Sequence, residues 1–284
     1  MAISRRKFLL TTAVAGSALA VGYVVLKPEE DTRLVFQKTA RGGEVALNAW
    51  IKIDASGTVT VAAPRAEMGQ GIYTALAMLV AEELDVDWKS VQVQDAPVHQ
   101  VYANREMLRA ALPFEDGYHQ GENTSGAQFM GWLAELLSAQ GTGGSTSIRD
   151  AWEPMRNAGA CARHMLVQAA ASKWNVPASE CLAADGTVSH NGSGKSLSYG
   201  DLATLAASLT PPENPPLKNA ADYKLIGKAV PRLDITDKTT GRATFGVDVK
   251  SDGMLYAAVN VAPVMGGSLK SYDREAIVKM PGVV

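Results

Sequence analysis

Two stretches of small, donor-rich residues constrain this chain most: Glu67-Met68-Gly69-Gln70-Gly71-Ile72-Tyr73-Thr74 and, later, Thr142-Gly143-Gly144-Ser145-Thr146-Ser147. Each stands directly before a helical pattern. There the first N–H groups of the helix have no partner within it, and the positive end of its dipole favours an anion. Glycine lets the backbone come close to such an anion, and phosphate is the anion that suits the chemistry.

The surrounding pattern puts the first stretch at a strand-to-helix junction. Leu47, Ala49, Ile51 and Ile53 alternate with polar or amphipathic residues, Ala55-Ser56-Gly57 turns the chain, and residues 58–63 return as the second strand of a hairpin. After the glycines, Leu76, Leu79, Val80 and Leu84 share one face of a helix predicted over 72–84, and Val91 and Val93 then suggest a third strand ending at Asp95-Ala96-Pro97. The second stretch has the composition of a flexible linker. A linker, however, would not lead straight into a capped helical tract, and this one leads into residues 148–174. Ser147 and Asp150 are spaced there as a capping pair, and Pro154 marks a kink or a restart. The small residues of 160–171 predict close packing and a central helix. Between the two stretches, residues 103–140 show only a helix around 129–139.

Downstream, Asp185-Gly186 turns a short hairpin over 182–190, and Ser198 with Asp201 caps a short helix to about Ser208. Pro211, Pro212, Pro215 and Pro216 then suggest a boundary. Strand-like runs follow at 243–249 and 254–261. The expected organisation is a leader over 1–27, a linker over 28–44, a first domain over 45–210, a proline-rich linker over 211–222 and a second domain over 223–284. The fold class is α+β.

A hydrophobic share of 46% and a charged share of 20% mark a globular chain, and a net charge of -2 without a long basic run argues against nucleic-acid binding. Cys161 and Cys181 are too few for a disulfide framework, a zinc site or an iron–sulfur cluster, and Cys161 reads as a buried apolar residue. His99, His119, His164 and His190 stand at no ligand spacing. Glu82 and Glu83 read as a solvated helix edge. Gly192-Ser193-Gly194-Lys195-Ser196 echoes a nucleotide-triphosphate loop, but Ser189 stands where that loop needs a glycine, so the reading is rejected.

At the N-terminus, Ser4-Arg5-Arg6-Lys7-Phe8-Leu9 has the form of a twin-arginine export signal, followed by an apolar run over residues 9–26. Ala18-Leu19-Ala20 offers a cleavage site, yet the run continues past it and is near the minimum for a membrane span, so an uncleaved anchor stays open. Either way the expected location is periplasmic. Twin-arginine export carries folded proteins, which suits a chain that receives a cofactor before it crosses.

The wording and order of the two stretches resemble the molybdopterin-binding large subunits of the xanthine dehydrogenase/aldehyde oxidase family, within it the isoquinoline 1-oxidoreductase β-subunit type. The likeness extends to Met78-Leu79-Val80-Ala81-Glu82-Glu83-Leu84, Arg156-Asn157-Ala158-Gly159-Ala160 and Gly227-Lys228-Ala229-Val230-Pro231-Arg232-Leu233-Asp234, then Thr240-Gly241-Arg242-Ala243. It runs from about Ala46 to the end of the chain. The resemblance implies part of a molybdopterin-binding domain followed by an incomplete α/β hammerhead domain. It implies that the amides of Gly69, Gln70 and Gly71 and the Gln70 side chain hold the pterin and its phosphate. Gly144, Ser145, Thr146 and Ser147 would hold further phosphate or the nucleotide part of a molybdopterin cytosine dinucleotide with molybdenum. Partners implied are a small 2Fe–2S subunit, a cytochrome electron acceptor and a small N-heteroaromatic or aldehyde substrate. The family's catalytic glutamate is expected beyond Val284, so no catalytic residue is assigned. The alternative is an exported, membrane-anchored binding or interaction domain that keeps the fold without molybdenum.

Overall fold

The computed structural model describes residues 31–110 and 125–284. The leader over 1–27 lies outside them, and among the described residues no helix is long and apolar enough to cross a membrane.

The architecture is mixed helix and sheet. Strands β1 (Val45–Ala46), β2 (Ile51–Ile53), β3 (Val59–Ala63) and β4 (Val91–Asp95) form one sheet in that order. The β2–β3 hairpin is antiparallel as expected, whereas β4 joins β3 in parallel, with Val59 opposite Val91 and Ala63 opposite Asp95. Parallel pairing needs a crossover. Helix α2 (Ile72–Leu84) supplies it, which places the Gly69–Gly71 turn where β3 gives way to α2.

Both faces of the sheet are covered. Ile51, Ile53, Val59, Val61 and Ala63 point into the main core with α2, the long helix α5 (Ser147–Trp174) and α6 (Tyr199–Ala207). On the other face, Ala49 and Ala62 meet Val35, Phe36 and Tyr102. Val35 and Phe36 belong to helix α1 (Arg33–Gln37), so the expected linker over 28–44 contains a helix that buries two of its three apolar residues and leaves Leu34 exposed. Helix α5 is central, as its small residues suggest. A Cβ at Gly159 would lie 2.6 Å from the Val80 carbonyl oxygen of α2, so glycine is what permits the crossing. Pro154 lies inside α5 and neither ends nor restarts it.

Helices α3 (Arg105–Arg109) and α4 (Ser125–Leu136) pack together, and α3 also meets α5. Strands β5 (Cys181–Ala184), β6 (Thr187–His190) and β7 (Lys195–Ser198) make an antiparallel sheet, and the rejected phosphate loop is the β6–β7 turn. Ser198 and Asp201 form the expected capping box of α6.

Two expectations fail, those for Glu82 and Glu83 and for the strands beyond residue 242, and the proline-rich segment is held in place. Residues 211–222 are fastened down: Pro215 is buried, and the Pro216 carbonyl accepts from Arg163 at 3.2 Å. Glu82 and Glu83 are not a solvated edge but 1% and 0% exposed. Glu82 Oε2 accepts the N–H groups of Lys224, Leu225 and Ile226 at 2.9, 2.7 and 3.1 Å, while Glu83 pairs with Arg156 at 2.6 Å and accepts the Lys218 N–H at 3.0 Å. Residues 218–234 are thereby drawn back along α2 as a strap, and Leu233 N–H reaches Thr74 Oγ1 at its other end at 3.1 Å. Finally, 243–249 and 254–261 form no strand. A strand needs a neighbour for its N–H and C=O groups, these runs pair with none among the described residues, and Leu255 and Tyr256 stay exposed. Short helices α7 (Ile235–Thr240) and α8 (Arg274–Val278) are the regular elements of this part.

Candidate functional site

Separated by some seventy residues of sequence, the two small-residue stretches meet in space. Met68, Gln70, Gly71 and Ile72 on one side and Thr142, Gly143, Gly144, Ser145 and Ser147 on the other line a cleft of about 430 Å³. Thr142 Oγ1 ties the walls together by accepting the Ala66 N–H at 2.9 Å.

The α2 wall is a turn with left-handed backbone at Gly69 (φ 100°) and Gly71 (φ 87°), a conformation that glycine adopts without steric cost. Its two glycine amides are not open. The Glu67 carboxylate accepts from the N–H groups of Gly69, Gly71 and Tyr73 at 2.7, 3.1 and 3.2 Å. Burial pushes the Glu67 carboxyl up, but these three donors and Lys238 outweigh it and hold it below the usual carboxylate range. The expected role of the Gly69 and Gly71 amides as phosphate donors is thus taken by an internal anion. Gln70 is also engaged: Oε1 accepts the Met68 N–H at 2.6 Å and Nε2 donates to the Ala66 carbonyl at 2.9 Å, so the side chain braces the turn it sits on.

The α5 wall is more open. Gly144 and Ser145 are left-handed (φ 60° and 55°), and the helix starts at Ser147 without a side-chain cap from Thr146. Among the described residues the hydroxyls of Ser145 and Ser147 have no partner. Thr146, in contrast, faces inward at 0% exposure, donating to the Gly143 carbonyl and accepting from Asn104 Nδ2, both at 2.8 Å. It shapes the loop and does not face the cleft. Asp150 is no capping partner for Ser147. Its carboxylate pairs with the buried Arg65 at 2.5 Å and accepts the Arg105 N–H at 2.8 Å.

Sequence reasoning gave no role to Glu67, Arg65 or Asn104 and the wrong one to Asp150. Glu67 stood inside the motif, and its signal was legible: an acid two residues before a glycine turn and five before a helix can cap those amides. Arg65 and Asp150 gave none, because they pair across 85 residues.

The family described as the molybdopterin cofactor-binding domain matches residues 15–104, which include the α2 wall of the cleft. The beta chain of the isoquinoline 1-oxidoreductase of Brevundimonas diminuta is 32% identical over 99% of this chain and 36% of its own length. The chain belongs to this type of molybdopterin-binding large subunit. Two further relatives agree. The membrane-bound aldehyde dehydrogenase (pyrroloquinoline-quinone) of Gluconacetobacter polyoxogenes is 31% identical over 99% of this chain and 32% of its own length. A nicotinate dehydrogenase subunit of Pseudomonas putida is 31% identical over 87% of this chain and 18% of its own length. The chain thus spans about a third or less of these relatives.

Tested against a molybdopterin, the two walls differ. The α5 wall fits: two hydroxyls without partners among the described residues and a long helix's positive end suit a phosphate group. On the α2 wall, Glu67 already holds the amides, and Met68, Gly71 and Ile72 offer surface for the body of a ligand rather than for its charge.

Proposed function

We propose that this chain forms one side of the cofactor site in a molybdenum-dependent oxidoreductase large subunit. The observation that carries this reading is the single cleft lined by both stretches. Ser145 and Ser147 would hold a phosphate of molybdopterin, in its cytosine dinucleotide form, while Gln70 and Gly71 would shape the opposite wall. When bound, the molybdenum centre would supply oxidation of an N-heteroaromatic or an aldehyde with water as the oxygen source. Electrons would leave to a small 2Fe–2S subunit and on to a cytochrome. The cleft's own contribution is holding: its described lining has no titratable side chain, so no group here is given the part of acid or base.

Location belongs to the same proposal. Arg5 and Arg6 ahead of the apolar run would send the folded, loaded subunit to the periplasm, with residues 9–26 as a cleaved signal or an anchor.

The test is the Ser145→Ala/Ser147→Ala double variant of the full-length subunit, purified and assayed for molybdenum and pterin. A hydrogen bond to a charged group contributes about 1.5–3 kcal/mol, and 1.4 kcal/mol is about tenfold. Cofactor retention should therefore fall about tenfold or more with folding intact. Normal retention would remove the α5 wall from the site.

One observation favours a second reading: Glu67 fills the nest of amides that would otherwise meet an anion. A binding or interaction domain without molybdenum would need no such nest. Wild-type subunit free of molybdenum and pterin when made with the cofactor's biosynthesis running would select it.

A further inference from the structure

Against the Gly69–Gly71 turn stands a cluster of charges, reaching in from the strap and α7, that the cofactor reading leaves unused. Arg232 Nη1 donates to the Gly69 carbonyl at 2.8 Å, and Nη2 lies 3.1 Å from Glu67 Oε1. Asp234 orients the same guanidinium, accepting from Nε at 2.9 Å and from Nη2 at 2.8 Å. Lys238 stands 2.5 Å from Asp234 but 3.8 Å from Glu67, so Arg232 makes the nearer contact to the Glu67 carboxylate.

The turn needs such support. A Cβ at Gly69 or Gly71 would meet no atom within 4 Å, so the turn has little packing of its own and rests on hydrogen bonds. Those bonds converge on Glu67, whose side chain is only 6% exposed. A carboxylate so placed is costly without a cation, and the planar fork of arginine can serve a carboxylate and a carbonyl together where lysine, a point charge, cannot.

We propose that Arg232 is a positioning residue for the Gly69–Gly71 turn: reaching in from the strap, it holds Glu67 in the amide nest and pins the Gly69 carbonyl. Docking of the strap and the shape of the α2 wall are then one event, although the two segments are more than 160 residues apart. The consequence for cofactor loading rests on the reading above. The positioning itself does not.

The two separate in one experiment. Amide hydrogen exchange is followed in the full-length, cofactor-free subunit and in its Arg232→Gln, Arg232→Lys, Glu67→Gln and Arg232→Gln/Glu67→Gln variants. In Arg232→Gln the amides of Gly69, Gly71 and Tyr73 should exchange about tenfold faster, the change expected when about 1.4 kcal/mol of a local opening equilibrium is lost. Leu225, Ile226 and the centre of α5 should keep their protection. Arg232→Lys should restore part of the effect, because charge returns without the fork. The double variant should add little to Glu67→Gln, since both changes break one relay. Unchanged exchange at the turn, additive effects in the double variant, or equal loss of protection at Leu225 and Ile226 would overturn the assignment. Molybdenum content of the same variants, produced with cofactor, reads the other claim. A turn that loosens with no loss of molybdenum would count against the α2 wall as part of the cofactor site while leaving the positioning role intact.

Discussion

Arg65 and Asp150 form a buried ion pair of 2.5 Å that joins the end of β3 to the first turn of α5, the two elements from which the cleft's walls spring. Arg65 also donates to the Pro64 and Tyr102 carbonyls, each at 2.9 Å. Burial pushes the Asp150 carboxyl up, and the Arg65 charge pulls it back only in part. Removing one partner of a buried pair strands the other, at a cost of about 3–5 kcal/mol. Asp150→Ala should lose about that much in denaturant unfolding. Arg65→Met/Asp150→Leu should lose distinctly less, because neither charge is left alone. Equal losses would mean that the pair matters for its shape and not for its charges.

Gly159 yields a steric prediction. Its absent Cβ would stand 2.6 Å from the Val80 carbonyl oxygen and 2.9 Å from Glu83 Cβ, so Gly159→Ala must push α5 away from α2. Overpacking of this kind costs about 1–3 kcal/mol. In an exposed helix the same change would help by roughly 0.5–1 kcal/mol. A lowered melting temperature supports the contact, and a raised one would show that the helices do not cross so closely.

These two sites mark how far the sequence could be read. The β2–β3 hairpin, α2, the α6 capping box and the β5–β6 hairpin were legible because each depends on local periodicity or turn chemistry. The resemblance implied that both small-residue stretches serve one cofactor, but their meeting in one cleft was seen only in the fold. The fates of Glu82, Glu83 and Asp150 were not legible. Consecutive acids after an apolar face look solvated, and their partners Lys218 and Leu225 lie more than 130 residues away. The runs at 243–249 and 254–261 failed for a related reason: alternation makes a strand only where another strand stands beside it.

Export gives a prediction independent of the fold. Replacing Arg5 and Arg6 with Lys keeps the charge and removes the guanidinium geometry that a twin-arginine signal presents. Fractionation of cells making the full-length subunit should then find it in the cytoplasm. A periplasmic pool of unchanged size would exclude this route.

The strap should open in acid before the body does. Burial pushes the Glu82 carboxyl up, yet the Leu225 and Ile226 N–H groups and Lys218 hold it below its ordinary 4.5. Asp85 is likewise pushed up by burial and held below its ordinary 3.8 by Lys218 and Lys224. A carboxyl whose pKa is lower folded than unfolded contributes its full stability above the unfolded value and loses it as pH falls through the folded one. Both groups therefore weaken the strap as pH drops below about 4, because the open form takes up the proton more readily than the closed one. Asp150, on the body, works in the opposite sense: its raised pKa means that ionising it, from 3.8 upward, costs stability, so acid relieves that cost. Hydrogen exchange between about pH 5 and pH 3, corrected for intrinsic rates, should show Lys224, Leu225 and Ile226 losing protection while the centre of α5 keeps it. In Glu82→Gln the strap should start weaker, by about 1–3 kcal/mol for the charged acceptor lost to three N–H groups, and show a shallower pH dependence. If strap and α5 lost protection together at one pH, the Glu82 clamp would be part of the global fold and not a separate fastening.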